Sequence, residues 1–356
     1  MTTAEQTIDE SKLHEFMGKM VGDLGAGISS ALVVTGQKLG LYHKLAEHGP
    51  LTAHELAQHT GTTHRYILEW ASNQAASGYI QYDAENNAFF LTAEQAAVFA
   101  DEESPFFMGG GFYSIASVFA DEPKIREAFK TGEGISWGDH DSCLFCGVAK
   151  FFKPTYKANL IQSWIPSLDG VQEKLECGAR VADVGCGYGH STMIMAEAFP
   201  NSQFYGFDFH TPSIEKAKAL AEEKGLSNVT FTTAKAKDFP GESYDLVTFF
   251  DCLHDMGDPA GTSQHVHSTL AEDGTWMIVE PFAHDALEDN LNPVGRVYYA
   301  FSTTVCTPSS LSQEVGAALG AQAGEAKLRE VVTSGGFTKF RRATETPFNL
   351  ILEARR

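Results

Sequence analysis

Apolar side chains recur at helical spacing over residues 11–46, at Leu13, Phe16, Met17 and Met20 and again at Ile28, Ala31, Leu32 and Val34, which predicts two helices. Thr52 then opens a short helix from Ala53, Gly61 turns the chain, and a longer helix runs from Arg65 to Ala76. Two short alternating runs, 79–82 and 88–91, are joined by Glu85-Asn86-Asn87. Helix, turn, helix and paired strands is the order of a winged helix. Over 101–171, helical pattern mixes with an irregular aromatic stretch, GEGISWGDHDSCLFCGVAKFFKPTYK, read as a connecting region whose loop covers a site. After Gly178 the pattern alternates regularly. Strands are predicted at 179–184, 203–208, 229–234, 244–250 and 274–279, with helices at 191–198 and 212–224. That alternation predicts an α/β, Rossmann-like, doubly wound sheet. A helix at 325–333 stops at Gly335-Gly336, and final strands at 338–343 and 349–354 are close enough to be antiparallel neighbours. The expected organisation is an α-helical and winged-helix domain over 1–100, a connecting region with a lid over 101–175, and a Rossmann-like domain over 176–356.

At 356 residues the chain exceeds the size of one hydrophobic core, in keeping with two domains. It is 43% hydrophobic and 20% charged and contains no long uninterrupted apolar run, so no membrane span is expected. The opening MTTAEQTIDE has neither a basic flank nor an apolar stretch, which predicts a cytoplasmic protein. Charge changes the picture more. With 46 acidic against 26 basic side chains the formal net charge is −20, which repels phosphate backbones. The segment that would read DNA, THRYILEWASNQAASG, carries one Arg and one Glu. Nucleic acid is therefore not expected as a partner, and the winged helix is expected to pack and to join two copies in a homodimer. The six cysteines, Cys143, Cys146, Cys177, Cys186, Cys252 and Cys306, are scattered and expected to be reduced thiols.

The densest chemical signal is VADVGCGYGH, residues 181–190, where a strand turns into a helix. Gly185, Gly187 and Gly189 permit a tight turn and a close approach of backbone to ligand. A dinucleotide fingerprint would place its third glycine at His190, so the spacing turns away from NAD. Asp208 closes the next strand in YGFDFH, where a carboxylate accepts hydrogen bonds from ribose hydroxyls, and Asp238 follows the third strand in AKDFP. Together with YDLVTFFDCLHDM and DGTWMIVEP, these segments resemble a class I S-adenosylmethionine-dependent methyltransferase, and the whole chain resembles the bacterial two-domain methyltransferases with an N-terminal winged helix. The resemblance implies a seven-stranded sheet with its last strand antiparallel, the cofactor S-adenosyl-L-methionine and a small-molecule acceptor. It implies that Asp183, Gly185, Cys186, Gly187 and Gly189 line the methionine and ribose side. Asp208, with Phe209 beside it, takes the ribose; Ala236, Lys237 and Asp238 take the adenine; and Asp251, Cys252 and Leu253 form the far wall.

The segment CLHDMGDP, residues 252–259, further resembles the His-Asp segment of the plant-type small-molecule O-methyltransferases, with Met256 where those enzymes usually carry Trp. The resemblance makes His254 a general base, oriented by Asp255 or Asp285. A phenol with a pKa near about 10 is mostly protonated at neutral pH, so methyl transfer to it gains from a nearby imidazole. Trp137, Tyr156, Arg296, Tyr298 and Tyr299 are the expected acceptor pocket. His140, Cys143 and Cys146 fall short of the four ligands of a closed zinc site, so no metal is expected. The expected activity is methyl transfer to an oxygen of a small acceptor. Thiol, nitrogen or arsenite-like metalloid acceptors, and a catalytically inactive ligand-sensing regulator, remain the alternatives.

Overall fold

Side-chain caps begin three of the helices of the N-terminal unit. A computed structural model describes residues 8–356, so most of the polar segment that opens the chain lies outside the described residues. Asp9 accepts from the backbone of Ser11 and Lys12 and starts α1 (Glu10–Lys38), 29 residues long and the first of the two helices expected over 11–46. Helix α2 (Leu41–His48) follows a left-handed Gly40. Thr52 and Glu55 form a reciprocal capping box at α3 (Ala53–Thr60), and Gly61 ends it at φ 63°. Helix α4 (His64–Ala76) leads to the hairpin β1 (Gln81–Asp83) and β2 (Ala88–Phe90), then to α5 (Ala93–Phe99). Leu41, Tyr42, Leu45, Leu56, Ile67 and Trp70 close the core of this unit. The units span 1–116 and 117–356, with the division inside α6 (Gly109–Thr131).

In the second unit the stretch read as irregular is helical from Cys143 onward, as α7 (Cys143–Asn159). Next come α8 (Val171–Cys177), β3 (Arg180–Val184), α9 (His190–Ala198), β4 (Gln203–Asp208), α10 (Thr211–Glu223), β5 (Val229–Thr233) and β6 (Tyr244–Phe250). The chain ends with α11 (Pro259–Thr269), β7 (Leu270–Pro281), α12 (Pro293–Phe301), α13 (Thr307–Leu311), α14 (Gly324–Ser334), β8 (Lys339–Glu345) and β9 (Asn349–Arg355). The seven strands lie in the order β5-β4-β3-β6-β7-β9-β8. All neighbours are parallel except those of β9, which runs antiparallel to both β7 and β8. The sheet is doubly wound, and the reversal of winding falls between β3 and β6. In such sheets the crevice at the carboxyl ends of those strands is where ligands bind.

Packing explains the last of the three loop glycines. Gly189 sits at φ 74°, and a Cβ there would stand 2.4 Å from Phe231 Cζ and 3.2 Å from the Ala217 methyl. Its absence lets α9 close on β5 and α10. Gly189→Ala should cost about 2–4 kcal/mol from left-handed strain and overpacking together. Thermal unfolding should show a drop of several degrees; an unchanged midpoint would mean that Phe231 swings clear without loss.

Candidate active site

At the carboxyl edge of the sheet a cavity of about 460 Å³ opens over the ends of β3, β4 and β6. The β3–α9 turn passes beneath it through Gly185, Gly187 and Gly189, all at positive φ. A side chain at 185 would stand 2.7 Å from the Cys252 thiol, whereas one at 187 would meet no atom within 4 Å. The loop is therefore pressed on the protein at one glycine and open at the next. Asp208, at the tip of β4, accepts from Gly187 N at 2.9 Å and from His210 N at 2.8 Å, which ties the loop to the next strand. Burial pushes its carboxyl above the ordinary range, opposed by those two donors. Lys237, Asp258 and Glu314 also line the cavity, and Lys237 Nζ lies 2.7 Å from Glu314 and 3.6 Å from Asp258.

The opposite wall is apolar. Phe145, Val148, Ala149, Phe152 and Tyr156 recur at helical spacing on one face of α7, and Trp137 adds its ring. Phe152 stacks on Tyr156 at 5.8 Å, and Phe145 on His210 at 4.7 Å. Tyr156 donates from its hydroxyl to Asp251 Oδ2 at 3.2 Å, while Asn349 donates to Oδ1 at 3.0 Å. Burial, then Asp251, holds the Tyr156 hydroxyl well above its usual range. Burial, then Glu280, does the same for the Asp251 carboxyl.

The 3₁₀ turn Leu253–Asp255 follows β6 and carries His254 under this wall. His254 Nδ1 bonds Glu280 Oε2, and Nε2 lies 3.1 Å from Asp255 Oδ1 outside hydrogen-bonding geometry, leaving that oxygen buried without a partner. Burial alone would lower the imidazole pKa, but Asp255 and Glu280 outweigh it and hold it well above its ordinary value. Asp255 lines the cavity; His254 does not.

Comparison with known proteins fits this geometry. A methyltransferase domain profile matches residues 175–333, and the Rv2258c-like winged HTH domain profile matches residues 27–100. The chain carries a methyltransferase domain. A ubiquinone biosynthesis O-methyltransferase of Actinobacillus pleuropneumoniae is 32% identical over 132 residues, 35% of this chain and 53% of that protein. The chain spans about half the length of the curated relatives it matches. Among solved structures, an O-methyltransferase family protein from Burkholderia thailandensis superposes with TM-score 0.70 at 16% identity, covering 98% of each chain. Human N-acetylserotonin methyltransferase, solved in complex with SAM, gives TM-score 0.69 at 15% identity and 99% coverage of each. At such identities these likenesses concern the fold.

The cofactor of this methyltransferase family is S-adenosylmethionine, and the donor set suits it. The open backbone at Gly187, the buried carboxylate of Asp208 and the half-exposed ring of Phe209 stand together at one end of the cavity. Asp251 and Asp255 line the same cavity.

Of the residues singled out in the sequence, Gly185, Cys186, Gly187, Asp208, Phe209, Lys237, Asp251, Cys252, Asp255, Trp137 and Tyr156 line the cavity. The rest are placed elsewhere for identifiable reasons. Asp183 lies fully buried beneath the loop and accepts from Ser191 Oγ at 2.7 Å, Thr192 Oγ1 at 2.5 Å and Thr248 Oγ1 at 3.0 Å. Gly189 serves packing. Asp238 caps its own turn through Lys235 N at 3.1 Å. Tyr298 turns into the protein and donates to Phe348 O at 2.7 Å, and neither Arg296 nor Tyr299 reaches the cavity. Asp285 caps α14 through Ala326 N at 2.8 Å, so the group that orients His254 is Glu280. His140 bonds Asp121 at 2.9 Å and does not join Cys143 and Cys146 in a metal-binding group. Sequence reasoning passed over Phe145, Tyr188, Ser309 and Gln313, which also line the cavity. The helical spacing in α7 was the signal available for Phe145.

Burial, opposed by the three hydroxyls, pushes the Asp183 carboxyl up to about 6 from its ordinary 3.8. A raised carboxyl favours the protonated folded state, so its contribution is full below the unfolded pKa and lost as pH rises through about 6. The loss amounts to about 3 kcal/mol by neutrality. Asp183→Asn cannot titrate, so urea melts should show its stability relative to wild type rising by about 2 kcal/mol between about pH 4.5 and 7. A difference independent of pH would show that the hydroxyls keep the carboxylate charged.

Proposed function

We propose that this protein transfers a methyl group from S-adenosylmethionine to an oxygen of a small, aromatic or hydroxylated acceptor. The observation that carries the reading is one continuous cavity bounded by the Gly185–Gly187 loop and Asp208 on one side and by the aromatic face of α7 on the other. Gly185, Cys186, Gly187, Asp208, Phe209, Lys237, Asp251 and Cys252 hold the cofactor, which supplies an electrophilic methyl on a sulfonium. Phe152, Tyr156 and Trp137 orient a flat acceptor by ring contact and exclude water. The names of relatives that methylate oxygen support this choice over nitrogen, thiol or metalloid acceptors.

The proton of the acceptor passes to the His254–Asp255 pair. Both ring nitrogens of His254 face carboxylates and the ring stands behind the wall, so Asp255 is the member that meets the acceptor and His254 positions it. This assigns to the pair what the sequence assigned to the imidazole alone. Asp208→Ala should weaken S-adenosylmethionine binding at least about tenfold by stranding ribose hydroxyls. Asp255→Asn should instead leave that affinity within a few-fold and lower turnover about a hundredfold. Calorimetry and single-turnover assays separate the two, and an Asp255→Asn enzyme of normal turnover would remove it from the chemistry.

We further propose that the winged-helix unit serves pairing of two copies in the cytoplasm and binds no nucleic acid. Leu13, Phe16, Met17, Val21, Leu24 and Ile28 form an exposed apolar stripe along α1, the kind of face that a second copy covers. Among the described residues no helix is long and apolar enough to cross a membrane. Phe16→Glu with Leu24→Glu should yield monomers in sedimentation velocity; a variant that sediments like wild-type dimer would place the contact elsewhere.

A further inference from the structure

After α13 the chain returns to the turn that carries Asp255. Gln313 donates through Nε2 to Asp255 O at 2.9 Å and to Ser309 O at 3.0 Å, and its Oε1 accepts from Gly257 N at 3.1 Å. Ser310 Oγ donates to Met256 O at 2.8 Å, and Ala317 N donates to Gly257 O at 2.8 Å. All three carbonyls of residues 255–257 are therefore bonded to the segment 310–317. The two stretches meet closely: a Cβ at Gly257 would stand 2.5 Å from Gln313 Cβ and 2.6 Å from Glu314 O. Asp255, Met256, Ser309, Gln313 and Glu314 all line the cavity.

The segment keeps this course against its own backbone preference. Val315 lies at φ 75° and Ala318 at φ 49°, in the left-handed region, where a β-branched residue is rarely found. Val315 is 71% exposed, so burial of its side chain does not compensate. What compensates is the set of bonds from Ser310, Gln313 and Ala317 to the 255–257 turn, with Ala318 N donating to Ser310 Oγ at 2.9 Å. Strain held in place by surrounding bonds is a mark of a site whose geometry matters.

We propose that Gln313 is a positioning residue of the methyl-transfer site, fixing the main chain on both sides of Met256 so that the Asp255 carboxylate faces the acceptor. This role rests on the methyl-transfer reading. Two carbonyls and one N–H must be met together, and only the amides of Asn and Gln carry that complement of donors and acceptor, Gln with the longer reach. Asp255 Oδ1 is buried without a hydrogen-bond partner, so its aim depends on the main chain behind it as well as on His254. In the transfer the sulfonium S–CH3 bond breaks as the O–CH3 bond forms, the acceptor proton passes to the carboxylate, and S-adenosylhomocysteine leaves. A small displacement of that carboxylate costs rate without costing cofactor affinity.

The test compares full-length wild type, Gln313→Glu and Gln313→Ala by single-turnover transfer of labelled methyl from S-adenosylmethionine to a panel of phenols and catechols, with cofactor affinity from calorimetry. Both variants should bind the cofactor within a few-fold of wild type and, at about pH 7.5, transfer at least about tenfold more slowly. The carboxylate of Gln313→Glu can accept from Gly257 N but has no proton for Asp255 O or Ser309 O; protonated, it regains one donor. Its rate relative to wild type should therefore rise several-fold as the pH falls to about 5.5, whereas Gln313→Ala cannot titrate and keeps a constant ratio. The ionisable neighbours His254, Asp255, Asp258, Glu314, Lys235 and Lys237 are common to all three proteins, so the ratio isolates position 313. If Gln313→Ala does not fold, the isosteric Gln313→Glu decides by its pH profile. The role is overturned by variants that melt earlier yet keep their rate, by a loss that lies in cofactor affinity, or by a Gln313→Glu ratio that is flat with pH. An active wild type with variants to match sinks Gln313 alone. Wild type that binds S-adenosylmethionine but forms S-adenosylhomocysteine with no member of the panel sinks the methyl-transfer reading, and this role with it.

Discussion

The burial of several carboxyl groups at the carboxyl edge of the sheet is the constraint on which this domain depends. Asp183, Asp208, His254 with Glu280, and Asp251 all sit at the ends of β3, β4, β6 and β7. Each carboxylate is settled differently. Asp183 is satisfied by three hydroxyls, Asp208 by two backbone N–H groups, Glu280 by an imidazole and a backbone N–H, and Asp251 by Tyr156 and Asn349. Without those donors the desolvation cost of burying so many acids would exceed what the surrounding apolar core returns. The donors come from loops and helix starts that also shape the cavity. Stability of the edge and geometry of the site are therefore one problem with one solution.

Much of the fold is legible in the chain because its signals are local. The glycine loop, the strand-closing Asp208 and the capping box at Thr52 and Glu55 are each contained within a few residues, and the structure has them where spacing puts them. The finer reading of VADVGCGYGH was less accessible. Gly187 is open to the cavity and Gly189 is filled by Phe231, but both look alike in sequence because the ring that distinguishes them lies on another strand.

Site residues that depend on distant partners were the harder part. Glu280 appears in the sequence as the end of an apolar strand, and only the parallel pairing of β6 with β7 brings it to His254. The aromatic stretch NPVGRVYYAF was read as an acceptor wall, yet once helical it turns Tyr298 inward toward Phe348. The aromatics that do form the wall lie on α7, within a segment whose one proline and four glycines gave it an irregular look.

Lys237 follows β5, Asp258 caps α11 and Glu314 follows α13, so three separate segments meet over the cavity through charge alone. These side chains are partly exposed, and pairs of that kind contribute little to stability and are screened by salt. The rim and the floor of the site therefore answer to different variables. Added salt weakens these rim pairs without touching the packed aromatics and buried acids below.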